Sequence, residues 1–292
     1  MKGCYDLVKL NLYNEDVIQH IFKAIKGWVN EFDIDGLRLD VAYCLNHDFL
    51  RRLRSFCDSL KPDFFLLGET LHGDYNQIMN DEMLHSVTNY ECYKGLYSSF
   101  NCMNMFEINH SLLRQFGPEN WTLYKGKHLL SFVDNHDVTR VASILNNANH
   151  LPLIYTLAFG MPGIPCVYYG SEWGATGRKE DGDPALRVSF DTPVWNDLTT
   201  FISKLAVAKK SSNALNYGSF SSIVLTNEQC IFLRQYNDER VLVAINASEQ
   251  PYFASFNIGT DTCTDLISGS EIKLNNGMEL PGYSSFILQP FS

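Results

Sequence analysis

Asp33-Ile34-Asp35-Gly36-Leu37-Arg38-Leu39-Asp40-Val41 is the stretch from which the fold class can be read. Asp33 to Gly36 is turn chemistry, and Leu37 to Val41 reads as a strand with alternating apolar and charged side chains. Upstream, Asn14 is a good N-cap, Glu15 and Asp16 suit a first helical turn, and apolar residues recur at Ile18, Ile21, Phe22, Ile25, Trp28, Val29 and Phe32. Downstream, Phe49, Leu50, Leu53, Phe56, Cys57 and Leu60 share one helical face, Pro62 closes that helix, and Phe64 to Leu67 is a continuous apolar run, as in a strand buried on both faces. Helix, strand, helix, strand is the rhythm of a parallel sheet with right-handed crossovers.

The rhythm continues. His85 to Asn89, His128 to Asp134 and Ile164 to Tyr169 read as strands. Cys92 to Phe116 (with a break near Asn101), Leu151 to Phe159 and Val194 to Lys209 read as helices. Beyond Asn213 the character changes to short β-rich runs: Ser222–Leu225, Cys230–Tyr236, Val241–Asn246, Phe253–Ile258 and Tyr283–Leu288. The expectation is an α/β domain over residues 1–212 and an antiparallel β-sandwich over residues 213–292.

A net charge of −10 and a pI near 5.2 argue against nucleic acid, whose binding needs a basic face, and favour a neutral or cationic partner. No segment has the apolar length of a membrane span, and the first six residues lack the apolar core of a signal peptide. The eight cysteines show no CxxC spacing and several sit in apolar runs, which reads as free buried thiols in a reducing, cytoplasmic compartment.

Three places carry candidate chemistry. Arg38 and Asp40 share a strand face, and a guanidinium beside a carboxylate keeps it ionised, as a nucleophile requires. An ion pair that merely fixes the strand explains the pattern equally well. Glu69 follows an apolar run and Gly68, where a strand would emerge; a partly desolvated carboxyl suits a proton donor, and an ordinary loop or capping acid is the plainer account. His136 and Asp137 follow another apolar run and could hydrogen-bond a pair of sugar hydroxyls, or Asp137 could cap the next helix. One such motif is weak evidence; three at successive strand ends are not.

Gly36-Leu37-Arg38-Leu39-Asp40-Val41-Ala42, Gly68-Glu69-Thr70 and Phe132-Val133-Asp134-Asn135-His136-Asp137 resemble, in order, the second, third and fourth sequence regions of the α-amylase family, glycoside hydrolase family 13. Gly163 to Glu172 resembles the segment of that family's last barrel strand, and Asp183-Pro184-Ala185-Leu186-Arg187 its DPxxR sugar-binding segment. The resemblance implies a (β/α)8 TIM barrel, here with about its last five strands, followed by the antiparallel all-β domain. It implies a retaining hydrolase of α-1,4, or alternatively α-1,6, glucosidic bonds in maltodextrins or related α-glucan oligosaccharides. Asp40 would be the nucleophile and Glu69 the acid/base, with carboxyls about 5–5.5 Å apart. Asp137 would bind and distort the sugar, aided by His136, while Arg38 orients Asp40. Asp183 and Arg187 would bind outer glucose units, and Tyr43, His72 and Trp173 would line the cleft, although plain packing accounts for each aromatic as well.

The chain departs from the family pattern in two ways. The earlier Asp-x-x-x-Asn-His region, which contributes to sugar and calcium sites, is not found, nor are the first three strands and the inserted domain. Five strands cannot close a barrel. The expectation is therefore a truncated chain, little activity from it alone, or a partner such as a second copy that covers the gap as a homodimer. No cofactor is implied for the chain itself, and a structural calcium belongs to the complete parent enzyme. Secondly, Tyr43 and Cys44 replace a Lys-His pair common in α-amylases, which favours resemblance to neopullulanase, cyclomaltodextrinase and maltodextrin-glucosidase types. The alternatives are a transglycosylase using the same intermediate, an inactive fragment, or a non-catalytic accessory protein.

Overall fold

The computed structural model describes residues 8–291, which divide by contacts into two units, one running to Thr88 and one starting at Asn89. In the first unit, helix α1 (Glu15–Phe32) starts because the Asn14 side chain accepts from the backbone N–H groups of Asp16 and Val17. Its buried stripe is Ile18, Phe22 and Ile25, packed on α2 (His47–Leu60), with Phe22 stacked on Phe56 at 4.3 Å between centroids. The stripe is narrower than expected, for Trp28 and Phe32 remain exposed.

Strand β1 (Gly36–Leu39) pairs in parallel with β2 (Phe65–Gly68), and β2 pairs in parallel with β3 (Ser86–Val87). The first and third are shorter than the sequence suggested, and the second has the expected length but lies one residue further on. Asp40 lies one residue past β1, and Val41 adopts a left-handed backbone at φ 47°. A β-branched residue in that region is strained by about 1–2 kcal/mol. The run at β2 is not equally buried on its two faces: Leu66 is sealed, while Phe65 and Leu67 are half-buried.

The second unit opens with α3 (Tyr90–Asn101) and α4 (Met105–Phe116), confirming the expected break, and continues through β4 (Leu130–Phe132), α5 (Val141–Ile144), α6 (His150–Gly160) and β5 (Ile164–Cys166). Strands β4 and β5 are parallel, with Leu130 opposite Ile164. Helix α6 is buried almost throughout and touches α3, β5 and two strands of the C-terminal sheet. Gly160 permits that approach: a Cβ there would lie 2.6 Å from a Val243 methyl. Helices α7 (Asp183–Leu186), α8 (Asp197–Ser211) and α9 (Asn213–Tyr217) complete the helical part.

Eight strands follow: β6 (Ser219–Leu225), β7 (Gln229–Tyr236), β8 (Glu239–Asn246), β9 (Tyr252–Ser255), β10 (Thr262–Asp265), β11 (Glu271–Lys273), β12 (Gly277–Leu280) and β13 (Ser284–Pro290). Six form an antiparallel sheet in the order β11-β10-β13-β8-β7-β6, and β9 pairs with β12. Both layers feed one core, in which Ala254, Met278 and Leu280 meet Ile231, Leu242 and Leu288. Strands β10, β11 and β12 were not expected, because runs of three or four residues are too short for their alternation to stand out.

Two cations sit where α6 ends. Arg234 donates to the carbonyls of Gly160 (2.8 Å), Gly218 (2.9 Å) and Ser219 (3.2 Å), and the Lys209 ammonium to those of Leu215 (2.8 Å) and Met161 (3.3 Å). The helix's last carbonyls favour positive charge. Burial, reinforced by Arg234, brings the Lys209 ammonium down to about 7.

Candidate active site

In the first unit, Arg38, Asp40 and Glu69 come together. Parallel pairing of β1 with β2 sets Leu39 beside Gly68, so Asp40 and Glu69 each follow a paired strand residue. The Glu69 N–H donates to Leu39 O at 2.8 Å, and the Ala42 N–H donates to Glu69 O at 2.9 Å, continuing the register past the strand ends. The left-handed turn at Val41 aims its N–H at Glu69 Oε2, 2.9 Å away. The Arg38 guanidinium is a fork: Nη1 bonds Asp40 Oδ1 and Nη2 lies 3.2 Å from Glu69 Oε1. Sequence reasoning assigned Arg38 to Asp40 alone; the second contact depends on strand register, which no local pattern reveals.

The two carboxyls differ in environment. Asp40 is open to solvent, whereas Glu69 is 6% exposed. Gly68 places Glu69 there, since a Cβ at Gly68 would meet Leu84 Cδ1 at 2.4 Å and Ala42 Cβ at 2.8 Å. Thr88 braces the far side: its hydroxyl oxygen accepts from the Thr70 N–H at 2.8 Å. The rings of Tyr43 and His72 lie 5.1 Å apart. Burial first, then the neighbouring Cys44, Glu69 and Asp40, pushes the Tyr43 hydroxyl up from its ordinary value, so it stays neutral.

In the second unit, His136, Asp137, Asp183 and Arg187 come together beyond β4. The Asp137 N–H donates to Asn135 Oδ1 (2.8 Å), and Asn135 Nδ2 donates to the Tyr90 hydroxyl (2.9 Å). Asp137 then has a nitrogen partner on each oxygen: His136 Nε2 at 3.0 Å from Oδ2 and the Arg187 guanidinium Nη2 at 3.0 Å from Oδ1. Asp183 is 3.5 Å from Arg187 and accepts from Lys179 at 2.7 Å; that hydrogen bond, with the Lys179 and Arg187 charges, holds its carboxyl below the usual range. Trp173 packs edge-on against Phe190 at 5.1 Å, and the two help line a shallow groove with Tyr169 and Arg187.

Three polar residues escaped the sequence reading. Asp134 is buried, which raises its carboxyl, while the Val141 N–H and Ser171 hydroxyl donate to it and oppose that shift. Arg140 is wholly buried beside the rings of Tyr168, Tyr169 and Phe190. The one available signal was an acid closing an apolar strand, at Asp134; Arg140 and Ser171 gave none. Among the described residues no cluster of three or more His, Cys, Asp or Glu side chains could hold a metal ion. No described helix is long and apolar enough to cross a membrane, and the seven described cysteines are free.

Comparison with known proteins agrees with these motifs. Residues 2–216 match the family described as "Alpha amylase, catalytic domain", and residues 224–287 match "Maltogenic Amylase, C-terminal domain". A cyclomaltodextrinase of Thermoanaerobacter pseudethanolicus is 27% identical over 96% of this chain and 49% of its own length. A maltogenic alpha-amylase of Bacillus acidopullulyticus is 29% identical over 93% of this chain and 47% of its own. The chain thus spans about half the length of the curated relatives it matches. The crystal structure of an Anoxybacillus alpha-amylase superposes with a TM-score of 0.84 at 25% identity, covering 99% of this chain and 66% of that one. The fold is accordingly the later part of a (β/α)8 barrel with an antiparallel C-terminal domain, and the chain belongs to the α-amylase family, glycoside hydrolase family 13.

Proposed function

We propose that these residues serve a retaining glycosidase that cleaves α-1,4, or alternatively α-1,6, glucosidic bonds in maltodextrins. The supporting observation is the fork of Arg38 on Asp40 and Glu69, which keeps an exposed carboxylate and a buried carboxyl within reach of one guanidinium. In the first step an Asp40 oxygen bonds the anomeric carbon as the glycosidic C–O bond breaks, and Glu69 gives its proton to the leaving oxygen. In the second, Glu69 takes a proton from water, the water oxygen bonds the anomeric carbon, and the ester to Asp40 breaks. Two inversions retain the α configuration. Asp137, with His136, holds ring hydroxyls of the sugar, and Arg187 and Asp183 bind on its outer side.

A second reading, transfer of the glycosyl group to an acceptor sugar, is favoured by Tyr43, which stands in place of the lysine of a common Lys-His pair and whose ring lies 5.1 Å from that of His72, offering an aromatic surface for a sugar. The free thiols support a cytoplasmic protein. Strand β1 has no second strand partner among the described residues, which supports a second copy or another polypeptide beside it. The functional division remains residues 1–212 for catalysis and 213–292 for the β-domain.

The test is Asp40→Asn in the polypeptide that carries these residues. Maltodextrin turnover is expected to fall on the order of 10⁴-fold with an unchanged circular dichroism spectrum, and the wild type is expected to release the α-anomer first. Substantial turnover by the variant, or release of the β-anomer, contradicts the assignment.

A further inference from the structure

We propose that Arg140 is a positioning residue that holds Arg187 on Asp137, and so sets the affinity for the bound sugar without touching it. The proposal rests on the reading of Asp137 and Arg187 as sugar-binding residues.

Three irregular segments of the second unit carry the site: the turn with His136 and Asp137, the turn after β5 with Tyr168 to Trp173, and the segment with Asp183 and Arg187. Arg140 joins all three. Its backbone N–H donates to Gly177 O at 2.9 Å; Nη1 donates to Tyr169 O (2.8 Å) and Ser171 Oγ (3.0 Å); Nη2 donates to Leu186 O (2.9 Å). Leu186 immediately precedes Arg187, so a bond to its carbonyl fixes the peptide from which Arg187 reaches Asp137. The Tyr168 hydroxyl donates to the same carbonyl at 3.1 Å, and the guanidinium lies 4.6 Å from that tyrosine's ring centroid. Ser171 passes the linkage to Asp134 at 2.7 Å. A planar fork with several fixed donors can do this; a lysine ammonium keeps the charge but not the divergent bonds.

A double-mutant cycle tests it, with kcat and KM measured on maltohexaose in the polypeptide that carries these residues. Arg140→Lys is expected to raise KM about tenfold while kcat changes less than threefold, as loss of a binding contact does. Arg187→Ala is expected to do at least as much, and adding Arg140→Lys to Arg187→Ala to change KM by less than twofold further, because a residue acting through another has nothing left to position. Tyr168→Phe, which removes only the second donor to Leu186 O, is expected to show the same pattern at smaller size and provides the test if Arg140→Lys does not fold. A crystal structure of either variant should show Arg187 moved from its 3.0 Å contact with Asp137. Multiplying KM effects, or Arg187 unmoved in both variants, overturns the proposal. An Arg187→Ala enzyme with wild-type KM would instead overturn the sugar-binding reading beneath it.

Discussion

Replacing Lys209 by Met should change how stability depends on pH. The ammonium is buried, its hydrogen-bond partners are carbonyls, and its pKa falls from 10.5 to about 7. Because the unfolded chain keeps this proton up to about pH 10.5 and the folded chain releases it near 7, the unfolded state binds more protons throughout that window, and stability rises with pH across it. A fall of that size corresponds to roughly 5 kcal/mol of unfavourable burial at low pH. Most of the thiols are raised by burial and act oppositely above about pH 9, so the useful interval is pH 7 to 8.5. There the Lys209 contribution amounts to about 2 kcal/mol. Urea unfolding of wild type and Lys209→Met at both pH values, followed by tryptophan fluorescence, measures it. The wild type should gain that much more than the variant, whatever constant cost the lost hydrogen bonds impose. Equal gains, or a larger gain in the variant, would refute the reasoning.

Glu69→Gln should lower turnover of maltodextrin on the order of 10³-fold, but turnover of an α-glucosyl fluoride, whose leaving group needs no proton, much less. Equal losses on both substrates would exclude Glu69 as the proton donor. Gly68→Ala should destabilise the protein by about 1–3 kcal/mol, because the added methyl meets Leu84 and Ala42 well inside contact distance; an unchanged thermal midpoint would contradict the packing described around Glu69.

The sequence announced the alternation of helices and strands because apolar periodicity and end signals such as Asn14 and Pro62 are local properties. It pointed to Asp40 and Glu69 because each acid interrupts or follows an apolar run, and to Asp137 because it stands with His136 just beyond one. The strands between Thr262 and Leu280 were missed, since runs of three or four residues carry little pattern of their own and are fixed by pairing with other strands. The contact of Arg38 with Glu69 was missed for the same reason: it follows from pairing Leu39 with Gly68. Arg140 carried no signal in the sequence. Its burial is bought by carbonyls from residues 169 and 186, which sequence proximity cannot suggest.

The bonds that fix Asp40 and Glu69 begin and end among residues 38–69, whereas those that fix Asp137 and Arg187 lie among residues 134–187. The direct bonds of each cluster are thus local, with Tyr90 behind Asn135 and Thr88 behind Thr70 as outer braces. On the proposed roles, substitutions in the second cluster would alter which sugars are gripped while the Asp40–Glu69 pair keeps its own support. Such an arrangement would let a lineage explore new glucans by drift in one segment, with the proposed chemistry inherited from the other.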